Sequence, residues 1–192
     1  MLSILGGDWS GRKLAVPDSD ALRPSAGRVK ACIFSVLESY RLKSFLPSRF
    51  EDCRVLDLFA GVGGLGLEAL SRGAAKAVFV EKDRRHAQFL KDNIRTLKCE
   101  ADSTLLIQPV DQLSRWHALG PFHLVFLDPP YALEGLPSLL TTLQLSKVLA
   151  PGAIVVFEHG PSSSVDCPPE FTVHSERKLG PAGLSVFLYR AG

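Results

Sequence analysis

From about residue 53 onward, short apolar runs alternate with segments whose apolar residues recur at helical spacing. The runs at 54–59, 76–80, 104–107, 122–127 and 153–157 are largely continuous in apolarity rather than alternating. A strand covered on both faces needs that pattern, so the runs predict parallel strands between layers of helix. Between them, Ala87, Leu90, Ile94 and Leu97 fall on one helical stripe, and Leu136, Leu139, Leu140 and Leu143 on another. Repeated strand–helix units of this kind predict an α/β fold. After Gly160 the pattern changes to a Pro/Ser loop at 161–169 and then two β-rich runs, 171–176 and 184–189, joined through Gly180-Pro181-Ala182-Gly183. That is the pattern of a closing antiparallel hairpin.

The first fifty residues do not continue the repeat. Residues 3–16, with Gly6-Gly7 and Gly11, predict a short hairpin, and Val29, Ile33, Val36, Leu37 and Tyr40 give an amphipathic helix. So short a segment is marginal for a core of its own, so 1–50 is expected as an extension packed on a main domain of 51–192. The chain's 46% hydrophobic and 22% charged residues are ordinary for a globular protein and exclude a disordered or fibrous class. Net charge is only +2, but residues 1–50 hold eight bases against four acids, while the rest holds fourteen against sixteen. Such an asymmetry fits either a polyanion-facing extension or a solvated basic face. No apolar run approaches the roughly 20 residues of a membrane span, and residues 1–7 have no leader pattern, so a cytoplasmic chain without membrane attachment is expected. Cys32, Cys53, Cys99 and Cys167 form no compact ligand spacing and are expected as small buried apolar residues. The five His residues are scattered, and neither H-E-x-x-H nor a nucleophile elbow occurs, so no metal site and no familiar hydrolytic chemistry are expected.

Candidate chemistry begins at residues 56–66, L-D-L-F-A-G-V-G-G-L-G. Gly61, Gly63 and Gly66 form G-x-G-x-x-G directly after a predicted strand and before a predicted helix, where glycine lets backbone approach a bound nucleotide. Glu81, closing the next strand, can accept hydrogen bonds from ribose hydroxyls, or it is a surface acid beside Lys82 and Asp83. Between Asp57 and Leu70 the loop carries Asp57 and Glu68 but no base, and it lacks the Gly-Lys-Ser/Thr ending of a triphosphate loop. An acid at Asp57 suits a ligand with an ammonium and a sulfonium, which describes S-adenosylmethionine, or it is a helix-capping or turn acid. The stretch D-x-F-A-G-x-G, with Phe59 inside it, resembles the first motif of class I methyltransferases. Asp111 follows the third strand region and suits either an adenine contact or a helix N-cap.

The second candidate loop is Asp128-Pro129-Pro130-Tyr131, directly after the run 122–127. An ionised Asp and a proline carbonyl are both acceptors, and held close together they suit a planar NH2 group with two donors. Acceptors also favour the positive charge that develops on such a nitrogen as it attacks a methyl group. Tyr131 supplies a ring for stacking on an unstacked base.

Several segments together resemble the bacterial RsmD family: G-G-D-W-S-G-R-K-L (6–14), L-R-P-S (22–25), R-V-K (28–30), L-D-L-F-A-G-V-G-G-L-G-L-E-A-L-S-R-G-A (56–74) and L-D-P-P-Y (127–131). The resemblance implies a class I methyltransferase (Rossmann-like) α/β fold, with a seven-stranded, mostly parallel sheet, a C-terminal antiparallel hairpin and an N-terminal hairpin-helix extension engaging RNA. It implies methyl transfer from S-adenosylmethionine to the N2 amine of one guanine in small-subunit (16S) ribosomal RNA, guanine 966, as naked RNA or in a 30S subunit, with no obligate protein partner. Arg12, Lys13, Arg23 and Arg28 are the RNA-contact candidates. One departure is visible: R-P-S-A-G-R-V-K (23–30) has Gly27 where the family typically has an acid. A DNA adenine-N6 methyltransferase fits D-P-P-Y equally well, and a non-catalytic RNA-binding assembly factor of the same fold is the other alternative. A nicotinamide dehydrogenase leaves D-P-P-Y unexplained.

Overall fold

A computed structural model describes residues 2–18, 25–39, 45–46, 50–112, 116–129, 136–160 and 167–191, except the side chains of residues 25, 26 and 116. Its strands are β1 (Arg54–Leu58), β2 (Lys76–Glu81), β3 (Ser103–Ile107), β4 (Phe122–Leu127), β5 (Leu149–His159), β6 (Phe171–Leu179) and β7 (Ala182–Tyr189). The helices are α1 (Ser25–Leu37), α2 (Gly66–Ser71), α3 (Arg84–Leu97) and α4 (Leu136–Leu145). All seven strands form one sheet in the order β3-β2-β1-β4-β5-β7-β6. The first five are mutually parallel, and β7 runs antiparallel between β5 and β6. The order reverses at β1, whose neighbours β2 and β4 both follow it in sequence, so a crevice opens beyond the carboxyl ends of β1 and β4.

Two apolar cores cover the two faces of the sheet. On one face Val55, Ala77, Phe79, Leu124 and Phe126 pack with Ile4, Leu14, the α1 residues Val29, Ile33 and Phe34, Leu67 of α2, and Leu90 and Ile94 of α3. On the other, Leu56, Leu58, Val78, Val80, Val125 and Leu127 pack with Leu136, Leu140 and Leu143 of α4. The predicted α3 stripe is buried as expected, while Leu139 of the α4 stripe is partly buried against its core. Asp83 caps α3 by accepting from the His86 N–H at 2.8 Å.

The structure departs from the expected boundaries for identifiable reasons. β5 begins at Leu149, because Phe122 of β4 pairs with Leu149 through a bulge that absorbs Pro151 and Gly152. β3 is only half-covered and exposes Ile107, as befits the edge of the sheet. The amphipathic helix is α1, with Val29, Ile33, Val36 and Leu37 buried, and Tyr40 lies outside the described residues. Cys53 and Cys99 are buried, but Cys32 and Cys167 are only half-buried. No helix among the described residues is long and apolar enough to cross a membrane.

Residues 2–14 form a short antiparallel ladder, with Ile4 N–H donating to Arg12 C=O at 2.9 Å and Leu14 N–H to Leu2 C=O at 3.0 Å. The hairpin presses onto α2 so closely that a Cβ at Gly7, whose φ is +77°, would lie 1.7 Å from the Ser71 carbonyl oxygen.

Candidate active site

The carboxyl end of β1 carries Asp57, which is 1% exposed. Its Oδ2 accepts the Gly66 N–H at 2.8 Å, so the acid caps the first residue of α2 from the adjacent strand. Leu65, at the ordinary capping position, makes no side-chain cap. Burial pushes the Asp57 carboxyl up to about 7; the Gly66 hydrogen bond opposes this, and the nearby carboxylates of Asp128 and Glu81 add to it. A cation arriving beside Asp57 would therefore relieve an unfavourable local field.

The chain turns sharply out of β1. Phe59 has φ +62°, a conformation that is strained for an aromatic residue, and the next residue is fixed by Ala60 N–H donating to Val80 C=O at 3.0 Å. Glu81 then pins the loop from β2. Its Oε2 accepts the Gly61 N–H and its Oε1 the Asp83 N–H, both at 2.7 Å. Glu81 is 9% exposed, so it is not the surface acid that its charged neighbours allow. The glycines differ in their surroundings. A Cβ at Gly66 would come within 2.4 Å of the Phe79 ring, and one at Gly63 within 2.4 Å of Leu90, whereas the space beside Gly61 is open. The loop is therefore packed tightly underneath and open at Gly61, as a nucleoside cradle requires.

Asp128 follows β4 directly and is exposed at the crevice, with its carboxylate near enough to Asp57 to raise that group's pKa. Pro129 is buried, which fixes the backbone leaving the strand. Pro130 and Tyr131 lie outside the described residues. Asp111 is exposed in a one-turn helix (Val110–Gln112) beyond β3, so it starts no α-helix among the described residues. Arg12 and Lys13 are exposed on the returning arm of the hairpin and Arg28 on α1, while Arg23 lies outside the described residues. Beside Gly27 there is open space, so its lack of a side chain relieves no crowding.

Sequence reasoning missed the polar framework beneath the site. Glu68 of α2 is fully buried and accepts from Leu5 N–H at 2.7 Å, Gly6 N–H at 2.8 Å, Lys30 Nζ at 2.9 Å and Arg72 Nε at 2.9 Å. Burial pushes its carboxyl up, but these donors outweigh it and hold the group below the ordinary Glu value. Arg72 also pairs with Glu38 and lies over the Phe34 ring, 4.6 Å from its centroid. Asn93 of α3 accepts the Ala15 N–H at 2.7 Å and donates to Ala15 C=O at 3.0 Å and Val62 C=O at 3.1 Å. The glycine loop, the hairpin and α1 are thereby one hydrogen-bonded body. The available signal was a single charged residue inside an apolar helical stripe, Lys30 among Val29, Ile33 and Leu37 and Glu68 between Leu67 and Ala69.

A family model described as conserved hypothetical protein 95 matches residues 2–188. The ribosomal RNA small subunit methyltransferase D of Haemophilus influenzae is 36% identical over 179 residues, covering 92% of this chain and 88% of that one. The protein of the same name from Escherichia coli K12 is 34% identical over 187 residues, covering 97% and 89%. Among solved structures, a putative methyltransferase, yhhF, from Escherichia coli superposes with a TM-score of 0.83 at 32% identity, covering 100% of this chain and 99% of that one. The seven-stranded class I methyltransferase fold is therefore shared with relatives along essentially the whole chain.

Proposed function

This chain belongs to the family described as conserved hypothetical protein 95, the RsmD family, and on that premise we propose that it transfers a methyl group from S-adenosylmethionine to the N2 amine of a guanine in small-subunit ribosomal RNA. The names of its relatives support ribosomal RNA as the substrate. The position, guanine 966, rests on the family resemblance. The observation that carries the reading is the placement of Asp128 at the end of β4, beside the buried Asp57 and across the crevice from the Glu81-pinned loop.

The residues present fit this cofactor. Asp57 and Glu81 offer acceptors for an ammonium and for ribose hydroxyls, each carboxylate oxygen keeping a lone pair beyond the bond it already accepts. Gly61 leaves open space above the loop. When bound, S-adenosylmethionine supplies an electrophilic methyl on a sulfonium. Asp57 and Glu81 hold the cofactor end of the crevice, and Phe59 and Asp111 line its approaches. Asp128 and the Pro129 carbonyl accept the two N–H bonds of the target amine, which turns the nitrogen lone pair toward the methyl carbon. Transfer in this arrangement would leave the C–S electron pair on sulfur and one proton to be lost from the amine that Asp128 and the Pro129 carbonyl hold. The Asp128 charge stabilises the nitrogen while it is positive. Tyr131 stacks on the splayed guanine, and Arg12, Lys13, Arg23 and Arg28 contact RNA phosphates.

The test is Asp128→Ala. Turnover falls by ~10²-fold or more, as for other positioned polar groups that meet developing charge, while calorimetric binding of S-adenosylmethionine is retained. Turnover near that of the unmodified enzyme would refute the assignment.

A further inference from the structure

Successive residues of a strand face opposite sides of the sheet. In β5, Val156 packs in the core beneath α1, α2 and α3 and Phe157 in the opposite core, so the next residue, Glu158, returns to the first face. The same alternation carries Ala77 and Phe79 to Glu81, Val55 to Asp57, and Leu124 and Phe126 to Asp128. Phe126 pairs with Val156 and Leu127 with Phe157; one further step along that register brings Asp128, just past the end of β4, beside Glu158 on a backbone about 4.8 Å away. Glu158 is half-buried and is held from its other side by the antiparallel pairing with Leu184 of β7. The strand order thus sets Glu81 and Asp57 on the cofactor side, with Asp128 and then Glu158 on the acceptor side.

We propose that Glu158 determines base specificity by accepting the N1–H of the target guanine while Asp128 holds the adjacent N2 amine. This rests on the reading of Asp128 given above. Three nucleobases carry an exocyclic amine that Asp128 could hold. In adenine and cytosine the ring nitrogen beside the amine is an acceptor, and a carboxylate set against it would meet a lone pair. Guanine alone places a second donor, N1–H, next to its amine. One carboxylate selects an amine; a second one a strand away selects guanine.

The discriminating substrate is a small-subunit rRNA fragment ligated to carry either guanine or 2-aminopurine at the position that the unmodified enzyme methylates. 2-Aminopurine keeps the N2 amine and has a lone pair in place of N1–H. The unmodified enzyme prefers guanine by ~10²-fold or more in kcat/KM, since a site built to receive a donor rejects the analogue that lacks it. Glu158→Gln, whose amide can turn to accept or donate, brings the two substrates to within ~10-fold. Glu158→Asp keeps an acceptor and keeps the preference for guanine, with lower kcat/KM. Binding of S-adenosylmethionine is unchanged in both variants. Equal rates on the two substrates with the unmodified enzyme would overturn the proposal without any variant. A folded, cofactor-binding Glu158→Gln that kept the original preference would overturn it too. Either result leaves guanine methylation itself intact, whereas no transfer to guanine by the unmodified enzyme would bring down the underlying reading as well.

Discussion

Replacing Glu68 by Gln tests whether the hairpin, α1 and the glycine-loop helix are held together by one buried charge. Glu68 is fully buried and Lys30 is 3% exposed, with Nζ 2.9 Å from Oε2. Removing one member of a buried pair strands the other charge and costs about 3–5 kcal/mol. The Leu5 and Gly6 N–H groups keep an acceptor only if the amide oxygen serves both, so the upper half of that range is expected. That is a large fraction of the ~5–15 kcal/mol that holds a domain folded. The assay is urea unfolding at pH 7 of Glu68→Gln, Lys30→Met and the double variant. The double variant should be less destabilised than the sum of the singles by more than about 1 kcal/mol, because it no longer leaves Lys30 as a buried cation without its carboxylate. The pH dependence has a defined sign. Because Glu68 titrates below its ordinary 4.5, its stabilisation is present above that value and lost as pH falls through the lower folded value. A loss under about 1 kcal/mol for Glu68→Gln, or strict additivity in the cycle, would refute the account of this network.

Two further substitutions probe the cofactor loop. In Gly66→Ala the new methyl must enter the 2.4 Å gap to the Phe79 ring. A stability loss of about 1–3 kcal/mol by thermal or urea unfolding and at least tenfold weaker S-adenosylmethionine binding by calorimetry are expected. Asp57 has a raised carboxyl, at about 7, so a cationic ligand must draw its proton off at lower pH. Affinity for S-adenosylmethionine should rise between about pH 5 and pH 7 and then level, and Asp57→Asn should bind more weakly and lose that slope.

Most of the sheet was readable because parallel strands covered on both faces are continuously apolar, and that signal is local. It weakened where cover is partial, as at the β3 edge, or where Pro151 and Gly152 interrupt a strand that its neighbour nevertheless holds. The strand–turn–helix setting of the glycine loop and the position of Asp128 just after β4 were readable because a strand and the turn that follows it lie within a dozen positions. The contacts of Glu68 and Asn93 with Leu5, Gly6 and Ala15 were not, since they join residues 62 to 78 positions apart and no short-range pattern encodes such pairs. Glu81 shows the same limit in miniature. Its charged neighbours allow a surface acid, and only the folding back of the Gly61 loop buries it.

The most direct measurement is incubation of the purified protein with isotopically labelled S-adenosylmethionine, small ribosomal subunits and duplex DNA, followed by nucleoside mass spectrometry of each fraction. The account predicts label in N2-methylguanosine from the ribosomal RNA and none in the DNA. Label in N6-methyladenine from the DNA, or no transfer by protein that binds the cofactor, would contradict it.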